Sequence, residues 1–202
     1  MSLSLAQGLT LYFCRHGETE ANVERRFQGH TRDTPLTAKG IEQARGIARI
    51  LAHEMPDFAR LAFVSSPLER AQATMRFIRE ALGLTADGYA IDPRTVEINL
   101  GEWDGLTLQD VRALDPVAYE VRTADKWNVR VPGGENYADV ARRCEAWVGD
   151  LRVDTFAVTH GAFLRVLRGL FQGMTWQQMS ALDEPQGVLF RARGSAVDRL
   201  EP

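Results

Sequence analysis

The apolar run Thr10-Leu11-Tyr12-Phe13-Cys14 ends at Arg15-His16-Gly17. Its length predicts a buried strand that delivers polar residues at its carboxyl end. Residues 18–36 are polar, with Gly29, Asp33 and Pro35, and predict a long loop of functional length. Ile41, Ala44, Ala48 and Leu51 recur at helical spacing and predict a helix over 37–53. Residues 61–64 predict a second strand, which stops at Ser65-Ser66-Pro67. Ser66 then reads as the N-cap of a helix over 67–82, with Pro67 in its first position and Glu69 completing a capping box. That helix carries Arg70 in its first turn, where a cation is unfavourable to the macrodipole unless an anion sits just beyond the helix end. Residues 95–98 read as a short extended piece, and Asp115-Pro116 as the start of a helix over 116–124. The clearest amphipathic stripe runs over 134–151, through Tyr137, Val140, Cys144, Trp147 and Leu151. Residues 155–159 predict a strand ending at His160-Gly161, followed by a helix to about 171 and a short one from Thr175 to about 182. Two terminal strands, 187–193 and 195–200, turn at Gly194. Strand and helix alternate, which predicts an α/β fold with helices on both faces of the sheet. Ligands in such sheets bind beyond the carboxyl ends of the strands. Four exits, Arg15-His16, Ser65-Ser66, Glu97 and Thr159-His160, therefore converge on one shared pocket.

A chain of 202 residues buries about 70% of its unfolded surface as one domain. With 45% hydrophobic and 25% charged residues, a fibrous or disordered chain is excluded. The formal charge of −3 argues against a nucleic-acid partner. No run of 18 apolar residues is present, so no membrane partner is expected. The start lacks a basic segment and cleavage signal, and the expected location is the cytoplasm. Cys14 and Cys144 lie in apolar-periodic segments and read as small buried thiols. Of the 24 basic residues 22 are Arg, leaving only Lys39 and Lys126. This is an effect of base composition unless particular arginines occupy particular places.

Two of the four histidines, His16 and His160, stand at strand exits and each is followed by glycine. His53 ends a helix and reads as a surface residue; His30 lies in the long loop. Two imidazoles with Arg15 and Arg70 around one point make a cationic pocket suited to phosphate, whose oxygens take bidentate donors. A metal fits worse: arginine is not a ligand and no spaced set of His, Cys, Asp or Glu completes a site. One neutral imidazole can attack phosphorus while the clamp holds the equatorial oxygens. The leaving oxygen then needs a proton, from Glu97 or, as the rival, Glu18.

The blocks Arg15-His16-Gly17-Glu18-Thr19 with Asn22, Ser65-Ser66-Pro67-Leu68 with Arg70, Glu97 before Gly101, and Thr159-His160-Gly161 resemble, in order, those of the histidine phosphatase superfamily. That family includes the cofactor-dependent phosphoglycerate mutases. The resemblance covers residues 10–165, and in length and tail the chain is similar to small bacterial phosphatases of the alpha-ribazole phosphatase type. It implies a phosphoglycerate mutase-like three-layer sandwich with a mostly parallel sheet. It implies one domain over 1–202 with a small helical insertion at about 98–133. His16 would be the nucleophile that becomes phosphohistidine; Arg15, Arg70 and His160 would hold the phosphoryl oxygens; Glu97 would be proton donor and then base. Asn22, Gln28 and Gly29 would support phosphate or substrate, and Thr19, His30 and Trp103 would reach the leaving group. No metal and no cofactor is implied. Leu100 stands where many members have Phe or Tyr, and His30 where members vary.

The insertion is short for a mutase cap, and Asn99-Leu100 replaces the His-Tyr of the mutase form. Both favour hydrolysis of a small-molecule phosphomonoester over mutase-type phosphoryl transfer. A non-catalytic phospho-ligand binding module would have lost the nucleophile, an arginine or the acid. Phe27, Trp103, Trp127 and Tyr137 are candidates for the leaving-group side, and Arg25, Arg26 or Arg130 for a second anion. A monomer or a homodimer is compatible with the terminal strands.

Overall fold

The computed structural model describes residues 3–31 and 33–200, so the ends of the expected unit lie outside it. In chain order the elements are β1 (Thr10–Arg15), α1 (Glu20–Val23), α2 (Ala38–Glu54), β2 (Ala62–Ser65), α3 (Glu69–Ala81) and β3 (Ala90–Ile91). There follow α4 (Leu108–Leu114), α5 (Pro116–Ala124), α6 (Tyr137–Gly149), β4 (Thr155–Thr159), α7 (Gly161–Phe171), α8 (Trp176–Ala181), β5 (Leu189–Arg193) and β6 (Ala196–Leu200). The described strands form a six-stranded sheet in the order β3-β2-β4-β1-β5-β6. The first four in that order run parallel; β5 and β6 are antiparallel additions at one edge.

Alternation along the strands builds two cores. Leu11 and Phe13 of β1 and Ala157 of β4 pack under α6 and α7 with Cys144, Trp147 and Phe163. Tyr12 and Cys14, with Phe156 and Val158, face the other way against Ile47, Leu51, Met75 and Ile78 of α2 and α3. Both cysteines are buried and free, one in each core. The α/β sandwich with a mostly parallel sheet is thus set by period two in the strands and apolar stripes in the helices. Segment 98–133 holds the short helical turn Gly101–Trp103 and helices α4 and α5, gathered on a small third cluster of Trp103, Val111 and Val131.

Three expectations change. Ser66 does not cap α3, which begins at Glu69 with Leu68 as N-cap. The first-turn N–H groups of Glu69 and Arg70 donate instead to the Asp33 carboxylate, at 2.5 and 3.3 Å. A carboxylate from the long loop outcompetes a local hydroxyl because it carries full charge at the positive helix end. Residues 95–98 form no strand: a 3-10 turn over Pro93–Thr95 leads into irregular backbone, so Glu97 reaches the site from a loop. The two-residue β3 was not expected, since its residues are exposed and carry no apolar run.

Candidate active site

Parallel register sets the centre. Arg15 of β1 pairs with Thr159 of β4, so the residues that follow, His16 and His160, emerge side by side. The His16 backbone N–H donates to the Thr159 carbonyl at 2.9 Å, and the two rings lie 5.2 Å apart, tilted by 56°. His16 Nδ1 stands 2.8 Å from the Gly17 carbonyl. A carbonyl only accepts, so Nδ1 carries the proton and Nε2 keeps its lone pair. Burial, then the Arg15 and Arg70 guanidiniums, hold the His16 imidazole well below its ordinary pKa, and it is neutral. Gly17 is required by closeness to the backbone of Gly40, where a Cβ would collide.

His160 is fully buried and its Nε2 lies 2.6 Å from Ser66 Oγ, which also accepts the Leu68 N–H at 3.3 Å. Among the described residues its Nδ1 has no partner, and neither has Arg15 Nε. Burial first, then Arg70, His16 and Arg15, push its pKa well down as well. Arg70 is buried from the second position of α3; Nη1 donates to Asp33 at 2.9 Å and Nη2 to the Gly29 carbonyl at 2.9 Å.

Glu97 is 7% exposed and sits at the amino end of α7. It accepts the N–H groups of Ala162 and Phe163 at 3.2 Å each and of Ile98 at 2.9 Å. Those bonds favour the carboxylate, but burial and then the nearby Glu184 outweigh them, and the Glu97 pKa is raised. Glu18, the other carboxyl weighed, bonds Lys39 at 2.8 Å and Thr37 at 3.0 Å, and its pKa is lowered chiefly by the Lys39 bond.

A cavity of about 290 Å³ opens from this centre. This is near the small end of ligand sites, which run from about 300 to 1,000 Å³. Arg15, His16, Asn22, Gln28, Glu97 and Trp103 line it. Phe27, Tyr137 and Arg26 line it too, whereas Trp127 faces a separate apolar recess and Arg130 pairs with Asp139 elsewhere. Thr19 lies beneath the wall, donating to Gln28 Oε1 at 2.7 Å and capping α1. His30 Nε2 donates to the Glu97 carbonyl at 2.5 Å, and the Gly29 N–H is taken by Asp104 at 2.8 Å. No group of three or more His, Cys, Asp or Glu among the described residues could hold a metal ion.

The family model described as histidine phosphatase superfamily, branch 1, matches residues 11–190. The chain belongs to this superfamily. It is 34% identical over 149 residues to the adenosylcobalamin/alpha-ribazole phosphatase of Salmonella typhimurium, covering 74% of this chain and 69% of that protein. It is 28% identical over 178 residues, 87% of this chain, to human 6-phosphofructo-2-kinase/fructose-2,6-bisphosphatase 4, of whose length it spans only 35%. Among solved structures, the alpha-ribazole phosphatase of Shigella flexneri superimposes with a TM-score of 0.78 at 29% identity, covering 91% of this chain and 89% of that one. A mycobacterial glucosyl-3-phosphoglycerate phosphatase gives 0.78 at 28%, covering 96% and 98%. The solved structures that it resembles over nearly their whole length are phosphatases. No described helix is long and apolar enough to cross a membrane.

Arg122, Lys126, Arg165 and Glu184 also line the cavity, and no local motif marks them; Glu184 lies beside Arg15 and pairs with Arg165. The Arg122 residue is 5% exposed, its Nε and Nη1 have no partner among the described residues, and its guanidinium lies 5.3 Å from the centre of the Tyr137 ring. Burial, then Arg165 and Arg122, lower the Lys126 pKa. The one available signal was compositional: Lys126 is one of only two lysines.

Proposed function

We propose that this protein hydrolyses a small phosphomonoester bearing a second anionic group, through a phosphohistidine on His16. The observation that carries the reading is a neutral, buried His16 with its Nε2 lone pair free, set among two guanidiniums and a second imidazole. Buried donors without partners cost about 1–3 kcal/mol each. Arg15 Nε and His160 Nδ1 are such positions, and a phosphoryl group would satisfy them. Ser66 Oγ accepts from Leu68 and can give its own proton to His160 Nε2; the ring proton then lies on Nδ1, free to donate to an anion. His16 Nε2 attacks phosphorus as the ester P–O bond breaks, and Arg15, Arg70 and His160 hold the equatorial oxygens. Glu97, whose pKa is raised by burial, gives a proton to the departing oxygen. Its carboxylate then takes a proton from water as that water attacks phosphorus, breaking the P–N bond and restoring His16.

The second anionic group is read from the part of the cavity wall that carries Arg122 and Lys126. Arg122 and Lys126 line the cavity there with Tyr137; Arg165 is paired with Glu184, whereas two buried Arg122 nitrogens have no partner among the described residues. A phosphate or carboxylate on the leaving group would take them. The names of two relatives carry such a group, a fructose bisphosphate and a phosphoglycerate. Another depression, lined by Arg94, Arg130, Arg142 and Arg143, is less suited, because Glu135, Asp139, Asp92 and Asp150 already pair those arginines.

Phosphate release over a panel of monoesters, bisphosphates and phosphorylated acids tests the reading. His16→Ala should lose at least about a thousandfold in kcat together with acid-labile phosphate on the protein. Near-normal turnover by that variant would overturn the covalent route, and interconversion of phosphoglycerates without net phosphate release would replace hydrolysis by transfer.

A further inference from the structure

The segment between α8 and β5 enters the site although no chemical motif marks it. It is clamped at three points. The Glu184 carbonyl accepts Arg15 Nη1 at 2.9 Å, the Leu182 carbonyl accepts Arg165 Nε at 2.9 Å, and Gln186 Nε2 donates to Asn22 Oδ1 at 2.8 Å. The clamp brings the Glu184 carboxylate against Gly161, the first residue of α7; a Cβ there would stand 2.6 Å from Glu184 Oε2. Glu97 is bonded to the N–H groups of the next two residues, Ala162 and Phe163. Both carboxylates are therefore gathered at the first turn of α7, Glu184 against Gly161 and Glu97 on the next two N–H groups.

A neighbouring carboxylate disfavours ionisation of Glu97, the more buried of the two. Their partners differ. Glu184 pairs with Arg165 at 2.8 Å and lies 3.9 Å from Arg15, with Lys126 and Tyr137 also within its field. Glu97 has no ion pair; its partners are backbone N–H groups, with Arg70 and Arg15 acting from further off. Glu184 is half-buried and ion-paired, while Glu97 lies deeper, and burial and then the Glu184 carboxylate raise the Glu97 pKa.

We infer that Glu184 is a positioning residue for proton transfer: its carboxylate, set against Gly161, keeps Glu97 in the proton-bearing form that the leaving oxygen requires. This rests on Glu97 being the proton donor. The test is the pH dependence of turnover on two esters, p-nitrophenyl phosphate, whose leaving oxygen needs little help, and glycerol 2-phosphate, whose alkoxide needs a proton. In Glu184→Gln the basic limb of the kcat/KM profile should move to lower pH by about one unit. At pH 8 the alkyl ester should lose about tenfold more than the nitrophenyl ester. Glu184→Asp keeps the charge and should retain the limb nearer its original place, which separates charge from packing. An unmoved limb in Glu184→Gln, with both esters losing in equal proportion, would overturn the inference. Glu97→Gln is run alongside. If it widens the gap between the esters while Glu184→Gln does not, Glu184 has no such role and Glu97 remains the donor. If Glu97→Gln changes neither gap nor limb, the donor is another group and the inference falls with it.

Discussion

Arg122 and Lys126 sit four residues apart, one in the last turn of α5 and the other just beyond it, and both reach the cavity. Such spacing on a helix reads equally well as a solvent-facing charged stripe, so nothing in the local sequence separates the two outcomes. Tertiary placement separates them: Arg122 lies over Tyr137 and loses its water. A charged hydrogen bond in a dry site is worth about 1.5–3 kcal/mol. Arg122→Met and Lys126→Met should each lower kcat/KM on a bisphosphate by roughly 10–100-fold, mostly through KM. The loss on a monoester whose leaving group is uncharged should be much smaller; equal losses on both would remove the second-anion reading. The reacting centre was far more legible. His16 and His160 are rare residue types placed at strand ends, and parallel register alone makes them neighbours. The supporting roles of Thr19 and His30, turned into the wall and onto the Glu97 carbonyl, depend on side-chain direction that spacing does not encode.

Helix α3 shows the same division among elements. Its apolar stripe predicts its body correctly, but its start depends on Asp33, 36 residues upstream of Glu69. A capping box is a local pattern, and Ser66 with Glu69 satisfies it in sequence. In the fold, the Ser66 hydroxyl is engaged with His160, and the distant carboxylate takes the helix end. Asp33 also pairs with Arg70 at 2.9 Å with the Arg70 side chain wholly buried, so one carboxylate caps the helix and orients its guanidinium. Removing it leaves two first-turn N–H groups and a buried cation less satisfied. Asp33→Ala should cost about 1–3 kcal/mol, a fall in Tm of roughly 2–10 °C for a domain of this size. The kcat/KM should drop as well, because Arg70 loses its orienting partner. A variant melting like the parent chain would show that α3 is capped from elsewhere.

Across the whole molecule, the site imposes a pH dependence on folding. His16 and His160 are both pushed well below the ordinary histidine value of 6.5, first by burial and then by neighbouring cations. The unfolded chain therefore takes up protons as pH falls below about 6.5 while the folded chain does not, and each histidine withdraws stability by up to about 1.4 kcal/mol per pH unit. Their contribution is complete above 6.5 and is lost as pH falls toward the depressed folded values. Glu97 acts in the opposite sense. Its pKa is raised above 4.5, so its contribution is complete below 4.5 and is lost as pH rises through the folded value. Where these windows overlap, two histidines oppose one carboxyl, and a net slope of about one proton remains. Tm should therefore decline as pH falls below about 6.5. His160→Gln removes one titrating ring and should flatten that decline. A parent chain whose Tm does not change between pH 5 and 7 would mean that the imidazoles take protons in the folded state, and a protonated His16 has no lone pair with which to attack phosphorus.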